Sequence, residues 1–83
     1  MLINMNTRDI LMDRAFDSVC VSIADKEWSK QIYNRLTSKY PAHKSYIDKL
    51  VAFYGDIFKV NPDFFTPRRD YMMKNKNKIR MRF

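Results

Sequence analysis

The sequence predicts an all-α protein: a compact three- to four-helix domain with a basic carboxy-terminal arm that is extended or disordered. Three observations carry this expectation. Apolar residues make up 46% of the 83-residue chain, enough for a core in one small domain and too many for a generically disordered chain. One Gly and three Pro are too few turn-formers for an all-β fold. From Thr7 to Phe58, apolar residues recur at helical spacing. The expected division is a helical domain over 1–73 and an arm over 74–83.

The first helix is predicted from about Thr7 to Ile23, capped by Asn6 or Thr7. Met12, Phe16, Val19 and Ile23 fall at i, i+4, i+7 and i+11, and Leu11 and Ala15 widen that stripe. Asp25 is placed to cap a second helix, about Lys26 to Lys39, with Trp28, Ile32 and Leu36 on its inner face and Tyr33 beside them. Pro41 ends it, because proline disfavours a helical residue before it. Ser45-Tyr46-Ile47-Asp48 has the form of a capping box. A third helix is therefore expected from about Tyr46 to Phe58, with Ile47, Leu50, Val51, Tyr54, Ile57 and Phe58 as its stripe. Asn61 and Pro62, then Thr66 and Pro67, each form a cap followed by a first-turn proline. Phe64 and Phe65 are expected to face inward, and a short fourth helix to run from Pro67 to about Met73.

Composition narrows the function classes. The only cysteine, Cys20, permits no intramolecular disulfide, which fits a reducing cytoplasm, the host's if the chain is viral. No stretch approaches the roughly 20 apolar residues of a membrane span. The opening MLINMNTRD lacks the basic start and long apolar run of a signal peptide, and Met5 is an alternative start. The only histidine, His43, lies in the polar link after helix two, and nothing places it beside Cys20. A nucleophile–base pair needs that proximity, so no enzyme activity is expected. No Gly-rich phosphate loop and no Cys/His cluster for zinc is present, and neither cofactor nor metal is expected. Asp9, Asp13 and Asp17 recur every four residues and form a ridge along helix one. Carboxylates on one helix diverge, so the ridge reads as a solvated face, or as an anionic strip for a partner or for the chain's own basic arm.

The net charge of +7 is concentrated at one end. Residues 1–67 hold nine Lys/Arg against eight Asp/Glu. Residues 68–83 hold seven cations (Arg68, Arg69, Lys74, Lys76, Lys78, Arg80 and Arg82) against Asp70 alone. Basic terminal segments usually meet polyanions. Most aromatics occupy helix stripes, where core packing explains them. Tyr71 lies among the cations, where stacking on a base is the alternative.

Residues 57–69, IFKVNPDFFTPRR, resemble the closing segment of repressor-type helix-turn-helix domains. They also resemble the V-x-x-[DE]-L-L-x-x-R-R stretch of the carboxy-terminal DNA-binding domain of bacterial replication initiators. The second resemblance implies that Arg68 and Arg69 touch the DNA backbone. In style, the small, charged, Met-rich chain resembles regulatory proteins of bacteriophages.

The last ten residues, KNKNKIRMRF, alternate five cations with Asn75, Asn77, Ile79, Met81 and Phe83. As a helix, this segment sets like charges at i, i+4, and its two Asn lower helix propensity. As an extended arm, it puts the cations on one side and Ile79, Met81 and Phe83 on the other. The expected function is a non-enzymatic nucleic-acid-binding or regulatory protein that holds DNA or RNA mainly by backbone phosphates through the seven cations. The alternative is a small protein that binds and modulates a host enzyme or assembly through an interface that includes the extended arm, its cations meeting an acidic partner surface and Ile79, Met81 and Phe83 packing on an apolar one. A membrane surface is the weakest of the three partners.

Overall fold

A computed structural model describes the backbone of residues 6–82 and the side chains of residues 6–79. The chain forms α1 (Thr7–Val21), α2 (Lys26–Lys39), α3 (Lys44–Val60), α4 (Thr66–Lys74) and α5 (Lys76–Arg82). Single turns of 3₁₀-helix, Pro41–His43 and Pro62–Phe64, lead into α3 and α4. Among the described residues there is no strand, and no helix is long and apolar enough to cross a membrane.

Helix α1 is the hub. It packs against α2, α3 and α4, and its residues enter both core clusters. One cluster joins Leu11 and Ala15 to Leu36, Ile47 and Leu50. The other joins Val19, Cys20 and Val21 to Trp28, Ile32, Phe65 and Met72. This central position shifts the inner face of α1: Val19, Leu11 and Ala15 are buried and Phe16 packs on the core, as the stripe predicts, but its other two members are not. Met12 and Ile23 are exposed at 37% and 66%, and Leu11 and Ala15 sit at the centre of the interface. A helix with neighbours on three sides buries more than one stripe, so its pattern does not peak on one face. The helix also ends before Ile23. The Ser22 hydroxyl donates to the Val19 carbonyl at 2.7 Å, and the Asp25 amide closes on the Val21 carbonyl at 2.8 Å.

The caps of the first two helices are as the sequence predicts. The Asn6 side chain accepts the Asp9 amide at 2.9 Å, and that of Asp25 accepts the Trp28 amide at 3.0 Å. Trp28, Ile32 and Leu36 are the buried residues of α2. Between α1 and α2, the Ser18 and Ser29 hydroxyls each donate to the other residue's carbonyl, at 3.1 and 2.8 Å. This satisfies buried polar atoms and lets the helices approach closely.

The capping box at Ser45 does not form. The 3₁₀ turn Pro41–His43 runs straight into α3, so Ser45 lies within its first turn, and no side chain caps the helix. Asp48 instead accepts the Tyr33 hydroxyl of α2 and Lys44 Nζ at 3.1 Å. Asn61 and Thr66 likewise cap nothing with their side chains, and Thr66 is the first residue of α4. Only one of the two phenylalanines turns inward. Phe65 is fully buried, while Phe64 is 59% exposed.

Where the sequence predicts an extended or disordered arm, the described backbone of Lys76–Arg82 is helical. Asn75 is the junction. Its amide and its side-chain Nδ2 both donate to the Tyr71 carbonyl, at 3.0 and 2.8 Å, and its own carbonyl accepts the Ile79 amide at 3.0 Å. Helical spacing brings Lys76 and Ile79 onto one face. Ile79 packs half-buried against the Trp28 cluster, and Lys76 reaches Asp25. These tertiary contacts offset like-charge pairs worth only about 0.2–0.5 kcal/mol each.

Candidate nucleic-acid interface

Helix α4 begins where Phe65 plugs the core, so Arg68, one turn later, lies over the carboxy-terminal half of α1. There it meets Asp17. Arg68 Nε and Nη2 grip the two carboxylate oxygens of Asp17 at 2.9 and 3.1 Å. Arg14 Nη1 approaches the same carboxylate at 3.6 Å. Asp17 is 2% exposed, so it does not belong to a solvated acidic ridge. It is the buried counter-ion of an arginine from the basic segment. A two-pronged guanidinium–carboxylate contact fixes direction as well as distance. Arg68 also stacks on the Tyr71 ring, 5.2 Å from its centroid.

The second anchor is Lys76. Its Nζ lies 2.5 Å from Asp25 Oδ2 and 5.8 Å from the centroid of the Trp28 ring, a cation–π geometry. Asp25 therefore works twice: one oxygen caps α2 and the other holds α5. Each anchor links residues 51 apart in sequence.

The other cations predicted for nucleic acid are placed differently. Lys74, at the end of α4, and Lys78, in α5, are exposed. Arg69 is half-buried, with Nε 3.7 Å from Asp70. Arg80 and Arg82 lie in α5, and their side chains are outside the described residues, as are the Met81 side chain and all of Phe83. Of the three residues predicted to dock a partner, only Ile79 has a described side chain, and it faces the protein's own core.

Beneath α4, in the cluster that holds Met72, burial pushes the Cys20 thiol up to about 12, with the Asp17 carboxylate adding to the effect and Arg68 and Arg69 opposing it. The thiol is protonated, and so a poor nucleophile, at neutral pH. His43 is exposed beside Tyr40. Among the described residues, no three His, Cys, Asp or Glu side chains converge. The hydrogen bond from Tyr33, followed by that from Lys44, holds the Asp48 carboxyl below its usual range.

Sequence reasoning offered the Asp9–Asp13–Asp17 ridge as an anionic strip for the chain's own basic arm, which Asp17 meets through Arg68, but it singled out neither this pair nor Lys76–Asp25. The available signal for the first was the placement of Asp17 and Ser18 inside the otherwise apolar run Ala15–Val21, where a polar side chain needs a partner. No known protein family, curated protein or solved structure matches this chain.

Proposed function

We propose that this protein is a small non-enzymatic nucleic-acid-binding protein that contacts backbone phosphates through the α4–α5 segment. One observation carries the reading. The segment with seven of the chain's sixteen cations and a single acid is tied to the body by Arg68–Asp17 and Lys76–Asp25. Two cations thus act as fasteners, and in this reading Arg69, Lys74, Lys78, Arg80 and Arg82 neutralise phosphates, Arg69 giving up its loose contact with Asp70. A preformed cationic helix pair loses less entropy on binding than a free tail. Such contacts release counterions and are sequence-independent. The test is fluorescence anisotropy with generic duplex DNA and single-stranded RNA at stepped salt. Binding at low salt that fades steeply as salt rises is expected. No binding at low salt overturns the reading.

An exposed aromatic face favours a second reading, in which the protein docks on and modulates a host enzyme or assembly. Phe53 and Phe64 are each 59% exposed and Val60 is 83% exposed. The Phe16 ring lies 6.0 Å from Phe64 and 5.3 Å from Tyr54, which makes the surface continuous across α1 and α3. Apolar patches of this kind mark protein contacts. Capture of one stoichiometric protein that is lost in Phe53→Ser/Phe64→Ser, with no nucleic-acid binding, supports this reading. Capture unaffected by the double change removes it.

A further inference from the structure

The chain's single glycine occupies an unusual place. Gly55 lies in the middle of α3, where glycine weakens a helix relative to alanine. Its backbone does not require it, since no described glycine has a positive φ. Packing does not require it either, since a Cβ built there meets nothing within 4 Å. Gly55 lines a cleft of about 290 Å³ together with Val19, Ile23, Val51 and Phe58, the serines of the α1–α2 contact and Lys59. Helices α2 and α3 meet at the Leu36–Ile47 end. The cleft lies toward the other end, where the end of α1 and the start of α2 face the middle of α3.

The chemistry of the lining selects a ligand. Val19, Ile23, Val51 and Phe58 offer hydrocarbon. The hydroxyls of Ser18, Ser22 and Ser29 already donate to the carbonyls of Ser29, Val19 and Ser18, so none offers an uncommitted proton. The remaining charged lining residue is Lys59, which is exposed and in no ion pair among the described residues. At about 290 Å³ the cleft lies at the lower end of the roughly 300–1,000 Å³ range of small-molecule sites, which favours a small ligand.

We propose that this cleft binds a small amphipathic monocarboxylate, its aliphatic tail lying across Gly55 between Val19, Val51 and Phe58 and its carboxylate on Lys59. No cleft residue belongs to α4 or α5, so the site is independent of the nucleic-acid reading.

The experiment is an NMR titration of the full chain with octanoate, octan-1-ol and octylamine as probes. Octanoate should shift the amides around Gly55, Ser22 and Lys59, and octylammonium should bind more weakly. Gly55→Leu fills the cleft and should abolish the shifts while the helical spectrum is kept. Lys59→Met, a surface change that leaves the fold intact, should weaken octanoate about two- to fivefold, the range of an exposed ion pair, and leave octanol unchanged. Undiminished octanoate binding in a folded Gly55→Leu protein overturns the proposal. So does equal octanoate affinity with and without Lys59, or shifts confined to other surfaces.

Discussion

Asp17 and Arg68 show how one buried carboxylate sets the position of a surface. Truncating Arg68 leaves Asp17 buried with only the looser Arg14 contact. Breaking a fully buried pair costs about 3–5 kcal/mol. Arg68 is 38% exposed and Arg14 remains at 3.6 Å, so the expected loss for Arg68→Ala is smaller, about 1–3 kcal/mol. Thermal melts of Arg68→Ala, Asp17→Asn and the double variant measure it. Non-additivity in that cycle identifies the pair, and strict additivity denies it. Cys20 gives a second prediction. With its thiol raised to about 12, native protein should resist alkylation at pH 8 and react once unfolded. Alkylation of the native protein at the rate of a free thiol contradicts that burial. Asp48 supplies a pH dependence. Its folded pKa lies below the unfolded one, so its contribution is present above the unfolded carboxylate range and is lost as pH falls through the folded pKa. The stability difference between wild type and Asp48→Asn should therefore shrink on acidification. A difference that grows on acidification reverses the sign and removes the Tyr33–Asp48 bond from the account.

At the scale of elements, legibility in the sequence tracked how local the determinants were. Helix α2 was readable to the residue because its cap Asp25, its stripe of Trp28, Ile32 and Leu36, and its terminator Pro41 all lie within the element or beside it. Helix α1 was readable as a helix and in part as a face: Leu11, Ala15, Val19 and Phe16 turn inward as expected, but Met12 and Ile23 do not, because burial on three sides is decided by α2, α3 and α4. Leu11→Ala should cost about 2–5 kcal/mol, the range of core truncations, and Met12→Ala well under half of that. Equal melting temperatures for the two variants place the interface elsewhere. The carboxy-terminal segment was legible in charge but not in conformation. Its alternation suits a strand. The contacts that make it helical, Lys76 with Asp25 and Ile79 with the Trp28 cluster, join residues about fifty apart, and no local pattern announces them. The same distance separates Arg68 from Asp17, so the segment was recognisable as a set of cations but not as one fastened to the body through Arg68 and Lys76.

For the whole molecule, the body is nearly neutral and the last helices carry the positive field. The Cα radius of gyration is 12.5 Å, against about 12 Å expected for a folded domain of this length. Deleting the arm would also remove the Lys76 and Ile79 contacts, so a charge-only change separates binding from folding. Changing Lys74, Lys78, Arg80 and Arg82 to Gln keeps both anchors and the core. The direct measurement is the slope of log affinity against log salt on a generic DNA duplex, for wild type and for this quadruple variant. At about 0.9 per phosphate on duplex DNA, the variant's slope should be shallower by up to about 3–4, with an unchanged circular-dichroism melt. A slope identical to wild type in a protein that still binds would place the phosphate contacts elsewhere and contradict the assignment of the α4–α5 segment.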